Sequence, residues 1–215
     1  MDEQEERKRR SEALLQELGS GFLPSLPLIE SEEECQIRLP QDVGARIMCL
    51  VAVAAAADGL DIKRIVDWFQ RESLLEKLSP SEKIFLTGKE INDRERIAFS
   101  WKSECVWLLL WAAGKVKRSL PTEACSVQEM LTKIPDFDSN TSLFIKSVEL
   151  RTKKEILDLS DFLYRAHWAT RQNSIDGSFE IGKLNPDVVQ EWHHAVNWLT
   201  CYDGIDDWDE VTTDT

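Results

Sequence analysis

Three histidines, His167, His193 and His194, are all the imidazole this chain has for acid–base work near neutral pH. Glu191-Trp192-His193-His194 contains one Glu-x-x-His, the spacing with which helical di-iron carboxylate proteins hold metal. Such sites need a second copy and two further carboxylates, and no second Glu-x-x-His occurs in the chain. Glu191 and His193 stand about 160° apart on a regular helix, so these two cannot grip one ion. Neither a metal site nor a cofactor is expected. Cys35, Cys49, Cys105, Cys125 and Cys201 are widely scattered, which argues against zinc knuckles and thioredoxin-like redox sites. The chain also has no His-Glu-x-x-His, no Gly-x-Ser-x-Gly elbow and no Gly-rich phosphate loop. Cys with His remains a formal nucleophile–base pair that no spacing supports.

More informative are polar residues that a helical wheel turns inward. With Ile156 at zero, Ser160, Tyr164, His167 and Arg171 form a stripe at about 20–80° between apolar flanks. Glu155 falls between Phe162 and Ala166, again among apolar neighbours. Lys154, Asp158, Asp161 and Arg165 gather at about 140–200° and read as a solvated stripe with i,i+4 pairs. On the segment 95–113, Glu104 is flanked by Trp111, Ile97 and Leu108. Along 186–202, Glu191 lies between Trp198 and Tyr202, while His193 and Asn197 share the opposite edge. An isolated buried carboxylate would cost many kcal/mol, so the inward acids must be paired, hydrogen-bonded or protonated. Arg171, His167, Arg151 and Arg46 are the available partners. In one account this network fixes the register of otherwise apolar helices. In the other it lines a pocket and supplies acid–base groups or a ligand clamp.

The elements that must position these residues are helical nearly throughout. The periodicity predicts a first helix over 3–18, closed by Gly19, and an extended wrap over 19–41 punctuated by Pro24, Pro27 and Pro40. Pro40 opens a second helix running to about Ala57, apolar on all sides after Arg46 and therefore central. Asp58-Gly59 stops it, and Asp61 is placed to cap the next. Helices follow at 62–77, 80–87, 95–113, 127–134, 152–172 and 186–202, with a small hairpin or a loop at 176–182. The expected architecture is all-α, a single-domain bundle of about eight helices. The N-terminal helix (1–18) and wrap (19–41) precede a helical core (42–202), and a C-terminal tail (203–215) is docked in part through Trp208 and Val211.

Composition narrows the partners. The formal charge of −13 repels phosphate backbones and anionic membrane surfaces, so nucleic acid and membrane are not expected as partners. A basic protein partner is the one such a surface favours. The longest apolar run, Ile47–Ala57, is too short to span a bilayer, and the charged start lacks a secretory signal. A cytoplasmic location with reduced thiols is the expectation. Eight Trp against two Tyr predict a large core, because indole is costly to leave exposed.

Four segments carry a family resemblance. They are Trp101-x-x-Glu104 with Leu109-Leu110-Trp111-Ala112-x-Gly114, and Leu150-Arg151 with Glu155-Ile156-Leu157-Asp158. The others are Asp161-x-x-Tyr164-Arg165-x-His167-Trp168-Ala169-x-Arg171 and Val188-Val189-x-Glu191-x-His193-x-Ala195-x-Asn197-Trp198-Leu199. Together with the ending Trp208-Asp209-x-Val211-Thr212, they resemble the family called domain of unknown function 4272, over about residues 7–215. The resemblance implies polar motif positions (Glu104, Glu155, Asp158, Tyr164, Arg165, His167, Arg171, Glu191, His193 and Asn197) rather than an activity. Trp192 departs from the pattern, which has Arg after the Glu. The leading functional reading is a non-catalytic interaction or regulatory module. The alternatives are a small-molecule hydrolase, using Glu104 or Glu191 with His167 or His193, and a ligand-binding sensor.

Overall fold

The computed structural model describes residues 2–88 and 92–214; Met1 and Thr215, at the ends of the expected segments, lie outside that range. It is all-α, with no strand among the described residues. The helices are α1 (Glu3–Glu17), α2 (Pro40–Ala57), α3 (Ile62–Arg71), α4 (Pro80–Thr87), α5 (Asp93–Ser100), α6 (Lys102–Ala112), α7 (Val127–Leu131), α8 (Ser142–Lys146), α9 (Lys153–Asp176) and α10 (Pro186–Leu199). α7 and α8 are single turns of five residues, which leaves eight longer helices among the described residues.

Local chemistry sets the boundaries. Pro40, Pro80 and Pro186 each occupy the first turn of a helix, where a missing N–H costs nothing. Asp61 accepts from the Lys63 amide, and Ser79 and Glu82 close a capping box on α4. Gly177, at φ 69°, ends α9 in the left-handed conformation that a side chain would strain.

α2 is the central rod, buried from Val43 to Ala54. One side joins α1, α6, α9 and α10 in the larger core, which holds Trp107, Trp111, Trp192, Trp198 and Trp208. Its other side packs with α3 and α4 around Trp68, Phe69 and Phe85. α2 is long and apolar enough to pass for a membrane span, yet 72% of it is buried inside the fold. Its apolar surface is thus used by the core.

The predicted helix over 95–113 is broken at Trp101, which caps α5 and starts α6. Ser100 and Ser103 hydroxyls donate to the carbonyls of Ile97 and Ser100, the side-chain competition that bends helices. The break lets α6 bury all its residues from Glu104 to Ala112 while α5 buries none.

The wrap has no ladder to satisfy its carbonyls, so neighbouring side chains do so. Gln4 donates to Ile29, Arg7 to Glu30, Lys8 to Pro24 and Leu26, Arg165 to Pro27, and Lys153 to Glu32 and Cys35. At 176–182 the chain forms a loop whose partner is the start of the wrap. The Gly21 amide donates to Glu180, and Lys183 donates to Leu18.

Candidate functional site

The inward polar residues fall on two seams. On the first, α6 meets α10. Glu104, 2% exposed, accepts from the Cys125 amide at 2.7 Å and from the Trp192 indole N–H at 3.0 Å. Trp192 is therefore a hydrogen-bond donor to the buried carboxylate. Burial outweighs these hydrogen bonds and raises the Glu104 carboxyl above its ordinary value of 4.5. Half-buried Glu191 faces the same seam. It pairs with Lys102 at 2.8 Å and accepts from the Cys105 thiol at 3.1 Å. The burial of Cys105 pushes that thiol well above 9.0, so it is no thiolate nucleophile.

The second seam lies between α9 and α10. The His167 and His193 Nδ1 atoms are 2.8 Å apart, so one imidazole donates and the other accepts. Both rings are 2% exposed. Burial, with the Arg171 charge next, lowers His167 to about 4. Burial, followed by His167 and His194, holds His193 well below 6.5. His194, against the Trp208 ring, is lowered to about 4, again mainly by burial. The sign is common to all three. Below pH 6.5 the unfolded chain takes up protons that the folded chain refuses, so stability present above 6.5 is lost as pH falls toward 4. Unfolding temperatures measured from pH 7.5 to 4 should therefore fall over that window. His167→Gln should flatten the fall; an unchanged slope would show that the pair does not titrate in this way.

A cavity of about 470 Å³ opens beside this pair. Ser160 and Tyr164 come from α9, and His193 and Asn197 from α10. Gln4, Leu28, Glu30 and Glu34 come from α1 and the wrap, and Tyr202, Asp203 and Asp214 from the chain after α10. Asn197 donates its amide N–H to the Thr212 carbonyl, which fixes Oδ1 as the acceptor it has left. Gln4 is held the same way by Ile29. Ser160 is 7%, His193 2% and Asn197 5% exposed. Yet Ser160 Oγ, His193 Nε2 and Asn197 Oδ1 have no hydrogen-bond partner among the described residues. None of the three atoms is sealed from solvent; each residue lines the cavity, where water or a ligand can reach it.

Of the sequence candidates, Tyr164, His167, His193 and Asn197 come together here, and Glu104 and Glu191 meet on the other seam. Glu155 does not point inward. It is exposed in the first turn of α9, closing a capping box with Thr152 and pairing with Arg151. Arg171 is also exposed, one turn beyond His167. The stripe read as solvated is in part the opposite. Asp161 and Arg165 are 1% and 0% exposed and form a bidentate pair, because α1 and the wrap cover that face. Arg46 with Glu82 is a second buried pair, below the Arg46–Trp208 ring contact. Periodicity missed Gln4, Glu30, Glu34, Tyr202, Asp203 and Asp214. Their elements are irregular or distant in sequence, and the only hint was that Trp208 and Val211 should dock. The described residues contain no group of three or more His, Cys, Asp or Glu arranged to hold a metal.

No curated protein and no solved structure matches the chain significantly. A family match runs over residues 7–211, taking in both seams and every cavity residue except Gln4 and Asp214. The chain belongs to that family, the domain of unknown function DUF4272.

Proposed function

We propose that this chain is a non-catalytic binding module that holds a small ligand in the cavity between the wrap, α9, α10 and the C-terminal segment. The observation that carries the reading is the set of polar atoms on the cavity wall, Ser160 Oγ, His193 Nε2 and Asn197 Oδ1, that make no hydrogen bond to another described residue and stay open to the cavity. The volume, about 470 Å³, falls in the usual range of small-molecule sites. Chemistry of the hydrolase kind has less support. A general base works best with a pKa near the working pH, and burial holds His193 and His167 far below it. Ser160, the hydroxyl on the same wall, is hydrogen-bonded to neither imidazole.

A ligand-observed NMR screen with uncharged, anionic and cationic small molecules tests the reading. At least one compound should bind, and Tyr164→Ala should abolish its signal, while esterase, amidase and phosphodiesterase assays stay at buffer background. Turnover that disappears in His193→Gln would replace this reading with the hydrolase one. Failure to find any ligand sensitive to Tyr164→Ala would remove it.

A further inference from the structure

The cavity has a charge as well as a shape. Four carboxylates line it, Glu30, Glu34, Asp203 and Asp214, and among the lining residues there is no Lys or Arg. The acids arrive from two separate stretches of chain, and each is held locally. Glu34 accepts from the Ser31 amide and hydroxyl, which lower its carboxyl. Asp214 accepts from Thr212, whose carbonyl is bound by Asn197. The Glu30 carbonyl is bound by Arg7. Asp203 holds a left-handed backbone at φ 54° that Asn and Asp tolerate best. Their field converges on the cavity: the Tyr202 phenol is raised first by burial and then by Asp203, Asp214 and Glu30.

The neutral groups have the same preference. Asn197 and Gln4 each donate one amide N–H to a backbone carbonyl, which orients the amide, and the oxygen of each has no hydrogen-bond partner among the described residues. The Tyr164 and Tyr202 rings also line the cavity, and the Arg165 guanidinium already lies over the Tyr164 ring, 5.8 Å from its centroid. The histidine pair stays uncharged near neutral pH and does not cancel the acids. An anionic ligand would meet repulsion from all four carboxylates. A neutral one would gain no attraction from the carboxylates.

We infer that the ligand is a small aliphatic amine or guanidine, its positive group taken by the carboxylates at the rim and by the Asn197 oxygen on the wall. This rests on the binding reading above and names the chemistry of that site. The shared chemistry could also come from a Lys or Arg side chain of a protein. A concave site of about 470 Å³, open to solvent on one side and formed by α1, the wrap, α9, α10 and the C-terminal segment, favours the free small molecule.

Isothermal titration of the full chain at pH 7.5 provides the test, with agmatine and putrescine as cations, 1,4-butanediol as a neutral analogue, succinate as an anion and an Arg/Lys-rich peptide. Agmatine or putrescine should bind one to one, more weakly at high salt, while butanediol and succinate should not bind. Asp203→Asn with Asp214→Asn should weaken the amine by roughly ten-fold or more. Glu76→Gln with Glu123→Gln, acids outside the cavity, should leave it unchanged. Equal loss in both double variants would mean diffuse attraction to an acidic surface and would overturn the inference. Binding of succinate or butanediol in place of the amines would also overturn it, while the binding-module reading stood. Peptide binding without amine binding would assign the cavity to a protein partner and refute the small-molecule source. If the amines fail while the NMR screen finds other ligands sensitive to Tyr164→Ala, only the cation claim falls.

Discussion

Asp161→Ala should lower the unfolding temperature by roughly 6–20 °C, because it strands a guanidinium in the protein interior. Arg165 is fully buried and shares two hydrogen bonds, at 3.0 and 2.9 Å, with the Asp161 carboxylate. Removing one partner of such a pair costs about 3–5 kcal/mol. In a chain of this size each kcal/mol shifts the midpoint by about 2–4 °C. The same guanidinium donates to the Pro27 carbonyl at 3.0 Å, and Pro27, Leu28, Ile29 and Glu30 form one wall of the cavity. The loss should therefore be felt first in the wrap, as faster amide exchange over residues 26–35, and ligand affinity should fall with it. A double variant, Asp161→Leu with Arg165→Met, replaces the charges with apolar volume and should recover much of the stability. It should not recover the wrap, whose Pro27 carbonyl still lacks its donor. Thermal unfolding with hydrogen exchange separates the two effects. A single variant that melts like the wild type would show that the pair is not buried as described.

The second large effect is expected at Glu104. Glu104→Ala leaves the buried Trp192 indole N–H and the part-buried Cys125 amide without their acceptor, each costing about 1–3 kcal/mol, and also opens a void. A fall of about 3–6 kcal/mol follows. Glu104→Gln keeps one acceptor oxygen and should cost less than half as much. The carboxyl also leaves a mark in the pH profile. Its folded pKa is raised, so between 4.5 and that raised value the folded chain holds a proton that the unfolded chain releases. Its contribution is complete below 4.5 and is lost as pH rises through the folded value. That slope is opposite in sign to the one from the histidines. Glu104→Gln should remove it, and urea unfolding at pH 4, 5, 6 and 7 would detect the change in slope. Equal slopes in the two proteins would show that burial does not govern this carboxyl.

Glu104 and Glu155 show where pattern reading succeeds and where it stops. Both lie among apolar residues on a wheel. Glu104 is in the first turn of α6, where its own helix offers it no cap, so it stays in the interior and finds donors on another helix. Glu155 is three residues after Thr152, the spacing of a capping box, and folds back onto the helix start. That signature is legible in the sequence, and it outranks wheel angle in a first turn. For Trp101, the flanking serines that break the helix are legible as well, but only once their competition with backbone acceptors is weighed against the apolar run.

Local sequence alone determined most of the longer helices, several of their caps and the centrality of α2, because these depend on interactions within a few residues and on a 3.6-residue period. It also determined which face of α9 carries Ser160, Tyr164 and His167. It could not determine what covers a face. Asp161 and Arg165 occupy a stripe that would be solvated on an isolated helix, and only the docking of α1 and the wrap buries it. The cavity has the same origin. Its acids come from the wrap and from the chain after α10, more than 160 positions apart, and look like solvated surface in either stretch. Burial and electric field depend on all the groups that share a space, and only the tertiary fold decides which groups those are.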